Sequence, residues 1–179
     1  TKIQNAFPHR QEGEETLLIV DATTLHLAPE IVTSTIHLLE RVGYPRICLA
    51  EQTYLGKELY DYGWPDDFST IANRVIRGVN TVKPSKIITI HPESAYLLRD
   101  VYPQEIGITV DGPVLTLAEA VRPYIDQLAR PNVGAIFLVQ TTIESYWMGG
   151  GTCQELLEHW GVNVYGKRYE QPFREMSYP

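Results

Sequence analysis

The sequence has little cysteine, no excess of positive charge and no long apolar run. Only Cys48 and Cys153 are present among 179 residues, which excludes a disulfide framework and indicates a reducing compartment. We interpret both cysteines as packing residues and expect a cytoplasmic protein. The net charge of −7 argues against nucleic-acid binding and against docking on anionic lipid. No apolar run reaches the roughly 20 residues that span a bilayer, so no membrane insertion is expected.

What the sequence does contain is four short apolar runs that predict buried strands. These runs, rich in aliphatic residues and without polar alternation, cover 17–21, 46–51, 86–91 and 135–140. Strands of this kind are covered by helices on both faces. Helical patterns lie between them, at 29–42, 66–82, 92 to about 101, and 117–128. The order predicts an α/β fold with an open, mostly parallel, doubly wound sheet.

Two prolines and an apolar stripe shape the predicted helices. Pro103 is expected to end the third helix shortly after Val101, and Pro123 is expected to kink the fourth or to mark its late start. The first helix is predicted to bury one face and to end at Gly43. That face comprises Ile31, Thr35, Leu38, Leu39 and Val42.

The C-terminal part of the chain resembles the N-terminal part at a fixed offset. Thr141 lies 118 positions after Thr23, and Gly161 lies 118 positions after Gly43. The Leu-Leu-Glu sequence at 38–40 recurs at 156–158 with the same offset. These matches predict a partial internal duplication, although any two strand–helix–strand segments look alike. We therefore expect an N-terminal extension (1–15), an α/β unit (16–130) and a partial second copy packed on the first (131–179).

Polar residues follow every predicted strand, at the edge where parallel α/β sheets bind ligands. The candidates for lining a pocket there are Asp21, Glu51, His91, Glu93 and Thr142. His91 has two interpretations, as a metal ligand or general base beside Asp21 or Glu51, or as a neutral imidazole bonded within a loop. The second is favoured because no metal-ligand spacing accompanies it. The glycines at 149–151 are favoured as a turn over a phosphate cradle, since they lack P-loop spacing.

The region from about Leu17 to Ile125 resembles the cysteine-rich CCG domain. That domain occurs in heterodisulfide reductases and in the iron–sulfur subunits of glycolate oxidases. The matching segments read LLERVG, YLGKELYDYG, KIITIHPESAYLLRDVYP and LTLAEAV. Gly56 and Gly63 keep the spacing of the family's glycines. The predicted duplication matches the two such units that family members carry.

The resemblance also identifies which positions would carry the family's cysteine ligands, and none of them is cysteine here. Those positions are Ala22, Tyr54, Leu55, His91 and Ser94. Family members use the cysteines to bind iron–sulfur clusters or zinc, and a cluster needs thiolates at nearly every iron. The chain is thus expected to be a degenerate member with no catalytic residue, no metal and no cofactor of its own, the cluster belonging to relatives or partner subunits.

Three functions follow as hypotheses. The favoured one is a non-catalytic subunit or domain of a larger redox or electron-transfer complex, with other subunits or further copies of the chain as partners. The second is a small-molecule-binding protein or enzyme that reuses the vacated pocket at the strand ends. The third, less favoured, places a cluster at the boundary with a partner chain that supplies the cysteines.

Overall fold

The computed structural model describes residues 15–44, 46–50, 54–128, 137–138, 151–161 and 164–165. Its main sheet contains β1 (Thr16–Ile19), β2 (Ile47–Leu49), β3 (Lys86–Thr89) and β4 (Val114–Thr116). All neighbouring strands are parallel, in the order β2-β1-β3-β4. Of the strand predicted at 135–140, the structure describes Phe137–Leu138, which belong to a second sheet, and the fourth strand of the main sheet is Val114–Thr116.

Helices cover both faces of the sheet. They are α1 (Ala22–Leu27), α2 (Pro29–Arg41), α3 (Lys57–Asp61), α4 (Pro65–Val82), α5 (Pro92–Tyr96) and α6 (Leu117–Val121). A π-helical segment (Leu97–Ile106) continues α5, and a 3₁₀ segment (Arg122–Gln127) continues α6. The predicted α/β class, with a parallel sheet between helical layers, is confirmed.

The central strands contribute side chains to a hydrophobic core on each face of the sheet, because successive side chains of a strand point to opposite faces. Leu17 and Ile19 pack with α4, α5 and the π-helical segment. Leu18 and Val20 pack with α2 and α6. This double burial explains why the strands read as continuous apolar runs in the sequence.

Helix α2 begins and ends with the expected signals and buries most of the predicted stripe. Pro29 stands in its first turn, and Gly43 follows its end at a φ of 89°, a conformation that favours glycine. Its buried residues are Val32, Thr35 and Leu39, whereas Ile31 is 46% exposed. The prediction is confirmed for Thr35, Leu39 and Val42, which are buried. The prediction of an inward Ile31 was wrong, because Val32 takes the inward position in the first turn.

The two prolines act differently from each other. The prediction that the third helix ends before Pro103 was wrong: the chain continues through Pro103 to Ile106 with π-helical geometry. The wider π turn relieves the clash that a proline ring makes with the preceding turn of an α-helix. At Pro123 the change is from α to 3₁₀ geometry, which agrees with the expected break.

A second strand–helix–strand unit lies in the C-terminal part. Strands β5 (Phe137–Leu138) and β6 (Val164–Tyr165) are parallel and flank α7 (Gly151–His159) in sequence. Gly161 follows α7 with a φ of 68°, as Gly43 follows α2. Salt bridges join this helix to the 3₁₀ segment: Arg122–Glu155 at 2.8 Å and His159–Asp126 at 3.0 Å.

The pairing in this unit does not follow the duplication offset throughout. Thr16 pairs with Ile47 in the main sheet, so the offset would pair residue 134 with Tyr165. Tyr165 instead pairs with Leu138, four residues later. The element order is shared, and descent from a duplication stays a prediction.

Candidate functional site

The carboxyl ends of β1 and β3 form the natural ligand crevice of this sheet. From β1 the chain returns through α2 to β2 on one side, whereas from β3 it continues through α5 to β4 on the other. The two connections diverge at this topological switch point, where open α/β sheets bind their ligands. Asp21 and His91 follow these two strands directly.

Local capping places Asp21 at this edge. It is the N-cap residue of α1, with extended backbone angles, and its Oδ1 accepts a hydrogen bond from the Thr24 amide at 2.8 Å. Asp is among the preferred N-cap residues because its side chain satisfies an unpaired amide of the first turn. Capping therefore fixes the rotamer of Asp21 and leaves Oδ2 to point toward β3.

His91 is held in place through its backbone carbonyl. The hydroxyl of Thr89, a fully buried residue of β3, donates to the His91 carbonyl at 3.0 Å. The Ser94 amide donates to the same oxygen at 3.1 Å. Pro92 begins α5 directly after His91. These constraints hold the imidazole over the end of β1.

The Asp21 and His91 side chains are in contact. Asp21 Oδ2 lies 2.5 Å from His91 Nε2, and Thr24 Oγ1 lies 2.9 Å from the same nitrogen. A hydrolase triad needs the carboxylate and the hydroxyl on opposite ring nitrogens, so this cluster is not a triad. Within the described residues no hydrogen bond engages His91 Nδ1, and the side chain is 39% exposed.

The electrostatic environment keeps Asp21 ionised. Partial burial raises the pKa of Asp21, but hydrogen bonds from the Thr24 hydroxyl and amide, the charge of His91 and the Thr23 amide together lower it below its ordinary 3.8. Oδ2 is itself buried, and no donor in the described residues is aligned on it. Its 2.5 Å approach to His91 Nε2 is therefore a close polar contact with poor hydrogen-bond alignment.

The other residues expected at the strand ends are dispersed. Glu93 lies exposed in the first turn of α5, and Ser94 is buried in the same turn. Ala22 begins α1 and is exposed. Glu51 and Thr142 lie outside the described residues, as do Gly149 and Gly150.

Leu55, which lies between β2 and α3, is part of the core. Leu55 is only 5% exposed and packs with the residues of α4 and α5. Tyr102, which is fully buried, donates its hydroxyl to the Leu55 carbonyl at 2.8 Å and packs edge-on against Phe68. Burial raises the pKa of the Tyr102 hydroxyl strongly.

This packing bears on the cofactor that the resemblance implies. A buried leucine in a filled core at one matching position, and an exposed alanine at another, offer no thiolate or other donor to iron. The residues present do not fit an iron–sulfur cluster. Among the described residues, no three acidic, histidine or cysteine side chains converge as a metal site would require.

Sequence reasoning missed Thr24 as a member of the site. Its signal was the spacing Asp21-x-x-Thr24 before an apolar position, which is typical of a capped first turn. A surface cavity of about 260 Å³ lies elsewhere, on the outer side of α2, and is lined by Glu30, Ile31, Ser34, Thr35 and Leu38. It brings together no titratable pair, so we consider the Asp21–His91 edge the better candidate.

Fold and site together define a doubly wound α/β protein with an aspartate–histidine pair at its switch point. No helix in the described part of the chain combines the length and apolarity needed to cross a membrane. Searches of protein-family models, of curated proteins and of solved structures gave no match to the chain.

Proposed function

We propose that the protein binds a small polar molecule at the carboxyl ends of β1 and β3, through Asp21, Thr24 and His91. One observation carries the proposal: two titratable side chains from different strands meet at 2.5 Å at the switch point of a parallel sheet. This is the hypothesis in which the pocket of a degenerate CCG-like domain is reused.

The chemistry of the pair supports ligand binding over a purely structural role. A carboxylate that contacts one nitrogen of an imidazole orients the ring and sets the tautomer, so the other nitrogen can act on a bound molecule. Here that second nitrogen belongs to a side chain 39% exposed to solvent. An exposed Asp–His pair also joins α7 to the 3₁₀ segment, so the feature that distinguishes Asp21–His91 is its position at the switch point of the sheet.

The test is a ligand screen with matched variants. The wild-type protein, His91→Gln and Asp21→Asn are screened for thermal stabilisation against a library of small polar metabolites. Asp67→Asn is the control, because Asp67 is an exposed acid in the first turn of α4. We expect a compound that raises the Tm of wild type and control but binds each site variant at least tenfold more weakly. A hit that binds all four proteins equally, or no hit, would reject the proposal.

A second candidate is the docking subunit of a redox complex, favoured by exposed apolar residues around the same edge. The large hydrophobic residues exposed in the described part of the chain are Leu27, Ile31, Tyr54, Tyr62 and Trp64. Tyr62 and Trp64 immediately precede α4, whose start lies at the carboxyl edge of the sheet, and their ring centroids lie 5.9 Å apart. An exposed pair of aromatic rings is typical of interaction surfaces.

This candidate is tested on the native complex. The full-length protein is purified untagged from its source cells, and its mass and iron content are measured beside a Tyr62→Ser, Trp64→Ser double variant. We expect the wild type to co-purify with an iron-containing partner and the double variant to lose it. A monomer that carries no partner, or a variant that keeps its partner, would reject the docking role.

A further inference from the structure

The donors that would bind an anion at the switch point are already used. At α1, the Thr24 amide and the Thr23 amide both bond the Asp21 side chain. At α5, Pro92 has no amide hydrogen, and the Ser94 amide bonds the His91 carbonyl. Phosphates and carboxylates bind at helix N-termini through unpaired amides. In the described part of this edge, the first turns of both helices offer few of them.

Basic side chains do not make up for this deficit. Two described cations lie along or near the carboxyl edge, and each is engaged: Lys57 Nζ lies 2.6 Å from Asp61 Oδ2, and Arg99 is held by Glu119 and the Val114 carbonyl. In the described part of this edge, the carboxylates at the pair are Asp21 itself and Glu93, two residues after His91. The local field therefore favours positive or neutral ligands and disfavours anions.

The proton position on His91 follows from its neighbour. A carboxylate oxygen cannot donate a hydrogen, and it repels a ring nitrogen that carries a lone pair, so the approach of Asp21 Oδ2 to Nε2 at 2.5 Å indicates that Nε2 carries the hydrogen. The low pKa of Asp21 agrees with an ionised partner. In the neutral ring Nδ1 then holds a lone pair and acts as an acceptor. Asp21 is thus a positioning residue for His91.

We infer that the ligand of this site is a hydrogen-bond donor, an amine or an amino alcohol, that donates to His91 Nδ1, and that it is not a phosphate or a carboxylate. The inference rests on the proposed function and adds the class of ligand to it.

The experiment observes the imidazole directly in the full chain. Long-range ¹H–¹⁵N NMR spectra at alkaline pH, where the ring is neutral, report the tautomer of His91, assigned by comparison with His91→Gln. Three probes are then titrated: ethanolamine, inorganic phosphate and acetate. We expect the Nε2–H tautomer, a saturable shift of His91 Nδ1 with ethanolamine, and no shift with either anion.

Variants separate this inference from general attraction to an acidic surface. Asp21→Asn should weaken the binding of ethanolamine at least fivefold and raise the population of the Nδ1–H tautomer. Asp67→Asn should keep the wild-type affinity for ethanolamine and the wild-type tautomer. An Nδ1–H tautomer in the wild type would overturn the inference, as would equal weakening by Asp67→Asn. Saturable phosphate or acetate binding through His91 would overturn the ligand class but uphold the binding site. The expected tautomer without a response to any probe would contradict both proposals.

Discussion

Two neighbouring stretches of the carboxyl edge differ sharply in what occupies them. After β2, Leu55 is buried and its carbonyl is bonded by the Tyr102 hydroxyl. After β1 and β3, Asp21 and His91 keep polar side chains that are 29% and 39% exposed. Both stretches contain positions at which the resemblance to the CCG family predicts ligands. The contrast indicates that the first stretch serves stability, whereas the second keeps polar groups that could act on a ligand.

The largest effect should come from truncation in the stretch after β2. Leu55→Ala removes a buried side chain from a packed core and should lower the free energy of unfolding by about 2–5 kcal/mol. Leu27→Ala is the control, because Leu27 is 79% exposed and should change it by less than about 0.5 kcal/mol. Urea denaturation measures both. If both substitutions changed the free energy of unfolding by the same amount, Leu55 would not serve stability more than an exposed residue does, and the contrast between the two stretches would be contradicted.

A smaller effect is expected at Asp21, where capping and the ion pair can be separated. Asp21→Ala loses the cap of α1 and should cost about 1 kcal/mol, whereas Asp21→Asn keeps a capping oxygen and should cost less than about 0.5 kcal/mol. The Asn variant should nevertheless lose ligand binding. If Asn proves as destabilising as Ala, the ion pair with His91 contributes to stability, and the stretch would resemble the one after β2.

The smallest effect is an acid-dependent loss of stability. Burial raises the pKa of Glu119, but Arg99 and the capping bonds of Thr116 lower it below its ordinary 4.5, and the pKa of Asp21 is also below its ordinary 3.8. Around these values the unfolded chain therefore binds more protons than the folded chain. The contribution of these two carboxylates to the free energy of unfolding should be fully present above about pH 4.5. It should be lost as the pH falls through their folded-state pKa values.

Substitution tests the origin of this acid limb. In each of the variants Glu119→Gln and Asp21→Asn, the urea midpoint should fall less between neutral and acid pH than it does in the wild type. Glu119→Gln should also lower the midpoint at neutral pH, because it breaks the ion pair with Arg99. An unchanged slope in both variants would show that other carboxylates dominate acid unfolding.

Local signals predict a large part of the fold. The strands at 17–21, 46–51 and 86–91 can be located because their apolar runs reflect burial on both faces. The start of α2 follows from Pro29 and its end from Gly43. A strand between the third and fourth helices is expected from the order of elements, but the bounds of β4 are not, since three residues carry no periodicity. The π-helical continuation through Pro103 depends on packing of Val101 and Tyr102, which a local rule for proline does not include.

The members of the candidate site are predictable from the sequence, but their geometry is not. Asp21 and His91 are both candidates because they follow strands, and His91 could pair with either Asp21 or Glu51. The contact with Asp21 depends on β1 and β3 being neighbours, although β2 lies between them in sequence. The resemblance presents Leu55 as a lost ligand, and its role in the core becomes visible only with Phe68 and Tyr102 around it.

The α/β class follows from the amino-acid sequence alone, because alternation of buried strands and amphipathic helices reflects side-chain hydrophobicity along the chain. The presence of polar groups at the strand ends follows from it as well. Which of these groups meet depends on the tertiary structure, since strand order is set by the packing of whole layers. This order brings His91 Nε2 to 2.5 Å from Asp21 Oδ2 and places Leu55, which follows β2, in the core.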